Sequence, residues 1–264
     1  MEDKCKNCHE SITGNFCINC GQKKYKRIDR KYVWDEVQYT FLHTNKGFLY
    51  SVKNIIKNPG KTAREFIEGN RVNHYKPILL AFVLSGISAF ISFKIIGFKE
   101  IVSEYYSNQN MNSEFMSDYV TFTSSYNSII MLLLIPFFAL ITKLAFRKWG
   151  HNYYEHVIIN AYILSFYTLI NILLLYPLLF ILKDDHELVM SISGKSMFIT
   201  PLVLLWFFRS FYHEKPLGQI LLRMVWIVLL LIASFIVFIT LIALLGFLYA
   251  TIKGPEALQY LKPQ

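Results

Sequence analysis

Long stretches without a charged residue dominate the chain after residue 76. They cover residues 77–93, 119–142, 157–182 and 224–252. A helix needs about 20 mostly apolar residues to cross a hydrocarbon core of about 30 Å. Lipid offers no hydrogen-bond partners, so a crossing segment must satisfy its own backbone groups, as a helix does. Four such runs predict transmembrane helices rather than the buried helices of a soluble protein.

The composition agrees with that interpretation. Hydrophobic residues make up 54% of the 264 residues and charged residues only 17%, whereas a typical soluble domain has about 25% charged residues. These values exclude a disordered chain and disfavour an ordinary soluble protein.

A fifth transmembrane helix is predicted less directly, because only residues 196–208 are uncharged there. Thirteen helical residues span roughly 20 Å, which is too short for the hydrocarbon core. The segment reaches a spanning length if Lys195 and Arg209 extend toward the two interfaces. A re-entrant or interfacial segment is the alternative. The predicted spans are therefore about 77–98, 128–146, 157–182, 193–212 and 224–250.

The basic residues predict the topology of this five-span arrangement. The chain carries 27 Lys and Arg against 18 Asp and Glu. Most of the basic residues fall in residues 1–76 and in the loops around 143–148 and 209–223, which lie on one side if there are five spans. Because loops rich in Lys and Arg stay cytoplasmic, we expect a cytoplasmic N-terminus and an outer C-terminus. Topology explains the positive charge, so nucleic-acid binding is not expected.

Four cysteines near the N-terminus form the sharpest motif. Their spacing is C-x2-C-x8-C-x2-C, and each C-x2-C pair supplies two thiolates from one tight turn. Four protein ligands would complete a tetrahedral site, which is typical of structural zinc. We predict that one zinc ion is bound by Cys5, Cys8, Cys17 and Cys20.

The two alternatives to zinc are disulfides and a redox pair. Disulfides are disfavoured because the predicted topology places the cysteines in a reducing compartment. A redox C-x2-C pair is disfavoured because no thioredoxin-like βαβ pattern follows it. Gly21 follows the second pair, as is usual in such ribbons, whereas His9 stands at the equivalent place after the first pair.

Three amphipathic helices are predicted between the ribbon and the membrane. Residues 31–43 and 46–57 repeat apolar residues with helical spacing. A third helix should start at Asn58-Pro59 and stop near Gly69. For 46–57, contact with anionic lipid and packing on the span ends are two alternatives that the sequence leaves open and that are compatible with each other. The predicted domains are a zinc ribbon at 1–24, amphipathic helices at 25–76 and a membrane domain at 77–264.

No catalytic constellation is evident in the sequence. His151, Glu155 and His156 have the wrong spacing for an inverted zincin. We expect both histidines on one helix, where they lie about 140° apart and are too far round the helix to share one ion. We expect helix-capping roles for these residues, and we expect Asn160 and the other polar residues of the third span, Thr168 and Asn171, to form interhelical hydrogen bonds.

Several of these motifs resemble an uncharacterised bacterial membrane family that has a zinc-ribbon head and a multi-span body. The resemblance rests on the ribbon, on the stretch from Asn58-Pro59-Gly60 to Tyr75-Lys76-Pro77, and on Tyr154-Glu155-His156. The family often has a histidine where this chain has Tyr162. The resemblance implies no established activity or substrate.

The sequence therefore predicts an all-α polytopic membrane protein with about five transmembrane helices, a small N-terminal zinc ribbon and cytoplasmic amphipathic helices. We expect a bacterial inner-membrane protein that is not an enzyme and that acts as an interaction or scaffold protein. Expected partners are membrane lipid, a cytosolic protein bound through residues 1–76, and further copies of the chain. A small transporter or channel subunit is the alternative.

Overall fold

A computed structural model describes residues 4–5, 7–21, 47–71, 74–110 and 113–253. The chain separates into two compact units, Met1–Asn45 and Lys46–Gln264. The predicted helix at 31–43 lies outside the described residues. No β-strand occurs in the described ranges, where the first unit contains one antiparallel bridge between Lys4 and Ser11.

The second unit is a helical bundle. Its helices, in chain order, are α1 (Gly47–Lys57), α2 (Pro59–Ile67), α3 (Pro77–Phe90), α4 (Phe98–Asn108), α5 (Glu114–Ser125), α6 (Asn127–Ala145), α7 (Tyr153–Ile170), α8 (Tyr176–Ile181), α9 (His186–Ser196), α10 (Thr200–Phe211) and α11 (Leu217–Lys253). Short π-helical segments extend α3 through Ile91–Ile96 and join α7 to α8 through Asn171–Leu175.

Five helical segments are long and apolar enough to cross a membrane, as predicted. They are span 1 (Pro77–Ile96), span 2 (Asn127–Ala145), span 3 (Tyr153–Ile181), span 4 (His186–Phe211) and span 5 (Leu217–Tyr249). Span 4 is a continuous helical segment of 26 residues. Its length meets the requirement of about 20 residues that the uncharged run alone did not meet.

Local sequence signals determine where several helices begin and end. Asn58 caps α2 by accepting a hydrogen bond from the Lys61 amide at 2.9 Å, and Pro59 occupies the first helical position. Gly69 follows with a positive φ of 113°, a conformation that glycine adopts without strain. The start and stop predicted for this helix are confirmed.

Spans 3 and 4 begin earlier than the uncharged runs indicated. Asn152 and Glu155 form a reciprocal capping box, so span 3 starts at Tyr153 rather than near 157. Asp185 accepts a hydrogen bond from the Leu188 amide at 3.0 Å, so the helical segment of span 4 starts at His186. Polar residues thus occupy the first turns of both segments.

The basic loops meet at one end of the bundle. Phe146 stacks on Tyr212 with ring centroids 4.9 Å apart, and Arg223 donates a hydrogen bond to the Ala145 carbonyl at 3.3 Å. We call this the basic end. The described basic residues here are Lys53, Lys57, Lys61, Arg64, Arg71, Lys76, Lys143, Arg147, Lys148, Arg209, Lys215 and Arg223.

The other end of the bundle has a different character. It is formed by α4, α5 and α9, where His186 lies 3.2 Å from the Glu104 carboxylate. A small apolar cluster of Ile96, Ile101, Leu179 and Val189 holds this end together. The division of charge between the two ends is the one that the sequence predicted from the loop compositions.

Candidate metal centre and interfacial polar cluster

The four cysteine sulfurs converge in the N-terminal unit. The Sγ atoms of Cys5, Cys8, Cys17 and Cys20 all lie within 4.8 Å of one another. The Sγ atoms of Cys5 and Cys20 are 3.6 Å apart, and those of Cys8 and Cys17 are 3.5 Å apart. A tetrahedral ion with metal–sulfur bonds of about 2.3 Å requires sulfurs about 3.8 Å apart. The four cysteines are free thiols rather than disulfides, and their arrangement is consistent with a metal site.

The backbone of the two knuckles explains why the sulfurs meet. The His9 amide donates to the Cys5 carbonyl at 3.0 Å, and the Gly21 amide donates to the Cys17 carbonyl at 2.9 Å. Both residues adopt a left-handed backbone conformation, with φ of 62° at His9 and 72° at Gly21. His9 therefore adopts the backbone conformation that Gly21 adopts, at the cost that a non-glycine residue bears in this region. The first knuckle therefore keeps the same turn although His9 replaces the usual glycine.

Electrostatics within the cluster favours a bound cation. A hydrogen bond with the Glu10 backbone lowers the pKa of the Cys8 thiol, but the neighbouring thiols, Cys20 foremost, and desolvation raise that pKa to about 12. The Cys8 thiol therefore resists losing its proton. A cation that binds all four sulfurs as thiolates removes that cost, which is why metal binding to such a site releases protons.

A second cluster of polar groups lies where spans 2 and 3 meet near the basic end. The ring of His156 is fully buried, and its Nδ1 lies 3.1 Å from the Thr142 hydroxyl. The Asn160 amide donates to the same hydroxyl at 2.8 Å and to the His156 carbonyl, also at 2.8 Å. These contacts confirm that Asn160 forms an interhelical hydrogen bond.

Counting hydrogen bonds assigns the tautomer of His156. The Thr142 hydroxyl lies 3.0 Å from the Phe138 carbonyl, to which its single proton can be donated. Its oxygen then accepts from both Asn160 and Nδ1 of His156, which satisfies all three groups. The opposite tautomer would leave the Phe138 contact without a proton. We therefore assign the proton to Nδ1, so that Nε2, which is buried without a partner, carries a free lone pair.

Two further polar groups lie beside His156. The His151 ring is 6.2 Å from the His156 ring and 5.5 Å from the Tyr212 ring, measured between centroids. Nδ1 of His151 and the hydroxyl of Tyr212 are also buried without a partner. The Lys143 ammonium donates to the His151 carbonyl. Three orphaned polar atoms at one end of the bundle can hold water or a small polar ligand.

The surroundings shift the titration of the two groups that lie outside the spans. Desolvation lowers the pKa of His151, and the Lys143 charge lowers it further, while the Glu155 and Glu68 carboxylates oppose that shift. Desolvation, followed by the Glu155 charge, raises the pKa of Tyr212. Both groups are therefore held neutral near physiological pH.

His151 and His156 do not share a helix, so the prediction that both lie on one helix is wrong. Helix α7 begins at Tyr153, and His151 lies before it. The chain turns at Gly150, whose φ is 95°, and this turn brings the rings together. Glu155 does act as a capping residue, as predicted. Among the described residues, the cysteines are the group of three or more candidate ligands close enough to hold a metal ion.

Helix α2 is seated directly on the backbone of α10. A Cβ atom added at Gly60 would lie 2.2 Å from the Phe207 carbonyl oxygen and 2.6 Å from the Phe211 nitrogen. The Arg64 guanidinium donates to the carbonyls of Ser210 at 3.1 Å and Phe211 at 3.3 Å, at the end of α10. The first two turns of α2 and the basic end of span 4 thus pack together, through Gly60 and Arg64.

Helix α1 divides its apolar residues between two environments. Ile55 is fully buried in the main core, and Ser51 accepts a hydrogen bond from the Tyr75 amide at 2.8 Å. Leu49 is 77% exposed and Ile56 is 43% exposed. Packing on the span ends therefore accounts for one side of this helix, and the other side is free to contact lipid.

Comparisons with known proteins identify one similarity. The family model described as "Protein of unknown function (DUF3667)" matches residues 45–89. That range contains α1, α2 and most of α3, including Gly60 and the Tyr75-Lys76-Pro77 stretch, and it excludes both the cysteine cluster and the His151–His156 region. No curated protein and no solved structure matches the chain.

Proposed function

We propose that this chain is a bacterial inner-membrane protein whose N-terminal zinc ribbon docks a cytosolic protein. In this account the five-span body is the anchor, and the activity is one of interaction or scaffolding rather than catalysis. The observation that carries the proposal is the convergence of four cysteine sulfurs within 4.8 Å of one another.

Zinc is the ion that best fits a set of four thiolates. Soft sulfur ligands in a tetrahedral arrangement favour zinc or an iron–sulfur centre, and two C-x2-C knuckles are typical of zinc ribbons. If Cys5, Cys8, Cys17 and Cys20 fill all four positions, no position is left for a substrate. The ion would then be structural, because a catalytic zinc keeps one position open.

The ribbon also carries an apolar surface that supports a docking role. Ile12 packs against the cysteines, but Phe16 is 56% exposed and Ile18 is 85% exposed. Ile18 stands between the two cysteines of the second knuckle, so the metal would hold it in place. Two large apolar side chains exposed on so small a unit favour burial against a partner protein.

The basic end of the bundle supports a cytoplasmic N-terminus. Anchoring Lys and Arg on the cytoplasmic side would place the N-terminus inside and, with five spans, the C-terminus outside. Reporter fusions at Gln22 and Gln264 should therefore report opposite sides of the membrane. Reporters on the same side would contradict the five-span topology.

A transporter receives less support from the interior of the bundle. The groove of about 530 Å³ beside span 1 has an apolar lining and includes neither Asn160 nor Asn171. The Asn160 side-chain amide already donates hydrogen bonds to the Thr142 hydroxyl and to the His156 carbonyl. A substrate path would need such groups to face a cavity instead.

A membrane-bound enzyme is the second candidate. It is favoured by one observation, the convergence of His151, His156 and Tyr212, which leave three polar atoms without partners. An activity located there should be lost in His156→Phe and should survive Cys17→Ser. The docking account predicts the reverse sensitivity for any cellular phenotype of the protein.

Self-association is a further part of the proposal. The residues of α11 from Phe235 to Tyr249 are all exposed along the single chain. Lipid or a second copy could cover this length of helix, and cross-linking in native membranes at increasing expression would separate the two.

The docking proposal is tested by affinity purification from native membranes with matched ribbon variants. Ile18→Ser should lose the captured protein while keeping the metal, and Cys17→Ser should lose both. Asn19→Ser is the control, because it changes an exposed polar neighbour on the same knuckle. Equal capture by all three variants would contradict a ribbon-mediated interaction.

A further inference from the structure

Helix α5 presents a row of aromatic side chains along one side. The row consists of Phe115, Tyr119, Phe122 and Tyr126, the last of which directly follows the helix, and we call it the aromatic stripe. All four residues are about half exposed, from 47% to 56%. Phe115 stacks on Tyr119 with ring centroids 6.4 Å apart, and the Phe122 and Tyr126 rings are 5.2 Å apart. The four rings therefore form one apolar surface.

Three different surfaces run along α5. At 100° per residue, the aromatic stripe occupies an arc of about 60°. A second arc of about 60°, centred about 100° further round the helix, holds the exposed polar residues Glu114, Asp118, Thr121 and Ser125. Val120 lies on the third side and is buried, and α5 packs against α4 and α6. A helix with one side against protein, one polar side and one aromatic side is typical of the boundary between membrane and water.

The aromatic stripe continues into the exposed side of span 2. Beyond Tyr126, exposed apolar residues recur every three or four positions along α6, at Ile129, Leu133, Phe137, Leu140 and Leu144. The average step from Phe115 to Leu144 is about 3.6 residues, which is the period of an α-helix. Lipid covers the outward side of a membrane span, so the α6 part of this row faces lipid. The α5 part is continuous with it, and lipid is therefore the partner that fits the aromatic stripe.

The length of α6 indicates the depth at which α5 lies. Helix α6 has 19 residues, which span roughly 28 Å and nearly fill a hydrocarbon core of about 30 Å. The backbone leaves helical geometry at Tyr126, where φ is −109° and ψ is 15°. Tyr126 thus marks the edge of the core, and α5 begins in the headgroup layer. Tyrosine is enriched at this depth because its ring is apolar and its hydroxyl can bond to water.

We propose that α5 is an interfacial helix whose aromatic stripe inserts into lipid at the headgroup boundary and anchors the end of the bundle formed by α4, α5 and α9. Glu114 and Asp118 give this helix no attraction for anionic headgroups, in contrast to the lysines of α1, so the contact should not depend on lipid charge. This surface is separate from the ribbon and does not depend on whether the ribbon docks a protein.

Photocross-linking of the full-length protein in phospholipid vesicles tests this contact. The photoreactive residue p-benzoylphenylalanine, which attacks nearby C–H bonds, is introduced in place of one residue at a time. In place of Phe122 it should form phospholipid adducts that mass spectrometry detects, as it should in place of Leu133 on span 2. The matched control is Thr121, the exposed neighbour on the polar side, where the lipid adduct should be lost. Tyr119 is a second site on the stripe, so the test does not depend on one substitution.

The outcomes separate lipid from other occupants. Equal lipid labelling at Thr121 and Phe122 would overturn the proposal, and so would labelling of a second copy of the chain or of another protein from Phe122. A stripe that gives no lipid adduct while Leu133 does would also contradict it. The yield at Phe122 should be the same in phosphatidylcholine vesicles and in vesicles that contain phosphatidylglycerol, and an adduct that requires phosphatidylglycerol would refute contact through the aromatic rings. Unchanged thermal midpoints would show that the substituted proteins are folded.

Discussion

Replacing Gly60 with alanine tests the docking of α2 on α10 directly. The new Cβ would lie 2.2 Å from the Phe207 carbonyl oxygen, whereas a carbon–oxygen contact needs about 3.3 Å. Helix α2 must therefore retreat by roughly 1 Å, because the obstacle is backbone and cannot rotate away. That retreat would also stretch the hydrogen bonds from Arg64 to the end of α10.

The expected magnitude is the difference between two opposing effects. Alanine in place of glycine stabilises an open helix position by up to about 1 kcal/mol. Overpacking against a fixed backbone costs about 1–3 kcal/mol, and the stretched hydrogen bonds add to that cost. We expect Gly60→Ala to be destabilised by about 2 kcal/mol, which lowers the thermal midpoint by roughly 4–8 °C for a chain of this size.

The assay is thermal denaturation in detergent, combined with hydrogen exchange of the α2 amides. Gly86→Ala is the matched control, since a Cβ at that helical position meets no atom within 4 Å. The control should denature at or above the wild-type midpoint and should leave α2 protected. If the two variants have the same midpoint, α2 is not seated on α10 in the way described.

Three further predictions concern helix α1, the basic end and the ribbon. Ile55→Ser should cost roughly 2–5 kcal/mol because Ile55 is fully buried, whereas Ile56→Ser should keep the wild-type midpoint and weaken adsorption to anionic vesicles. Burial lowers the pKa of His151 in the folded protein, so as the pH falls the unfolded state binds a proton on this ring before the folded state does. The free energy of unfolding should therefore decrease as the pH drops below about 6.5. His151→Gln should reduce that decrease in a pH series of thermal midpoints. In a chelator competition, Gly21→Ala should bind the metal about fivefold more weakly than the wild type, because a left-handed backbone conformation costs a non-glycine residue about 1 kcal/mol or more. His9→Gly should bind it at least as tightly as the wild type. The reverse order of affinities would contradict the knuckle geometry.

The sequence was sufficient to predict the spans and the helix that begins at Pro59. Uncharged length is a direct consequence of the hydrocarbon thickness, and a cap followed by proline acts within one turn. The starts of spans 3 and 4 were missed because capping by Asn152 and Asp185 extends the helices into polar residues. Hydropathy measures only how apolar the residues are, so it does not detect capping hydrogen bonds.

The tertiary contacts of the sites were beyond sequence reasoning. The close approach at Gly60 involves Phe207, almost 150 positions away in the sequence. A glycine in a helix does not indicate which residue packs against it. The two histidines were wrongly placed on one helix because the turn at Gly150 was not recognised. A glycine directly before His151 was the available signal for that turn. The cysteine spacing, by contrast, predicted which four side chains come together.

Zinc content of the purified full-length protein is the most direct test of the central claim, that the four cysteines form a structural metal site. The account predicts about one zinc per chain, released in Cys17→Ser together with the folded ribbon, while the thermal midpoint of the membrane body stays unchanged. Zinc retained by a variant that lacks all four cysteines would contradict the account, as would a wild-type protein that binds no metal when zinc is supplied.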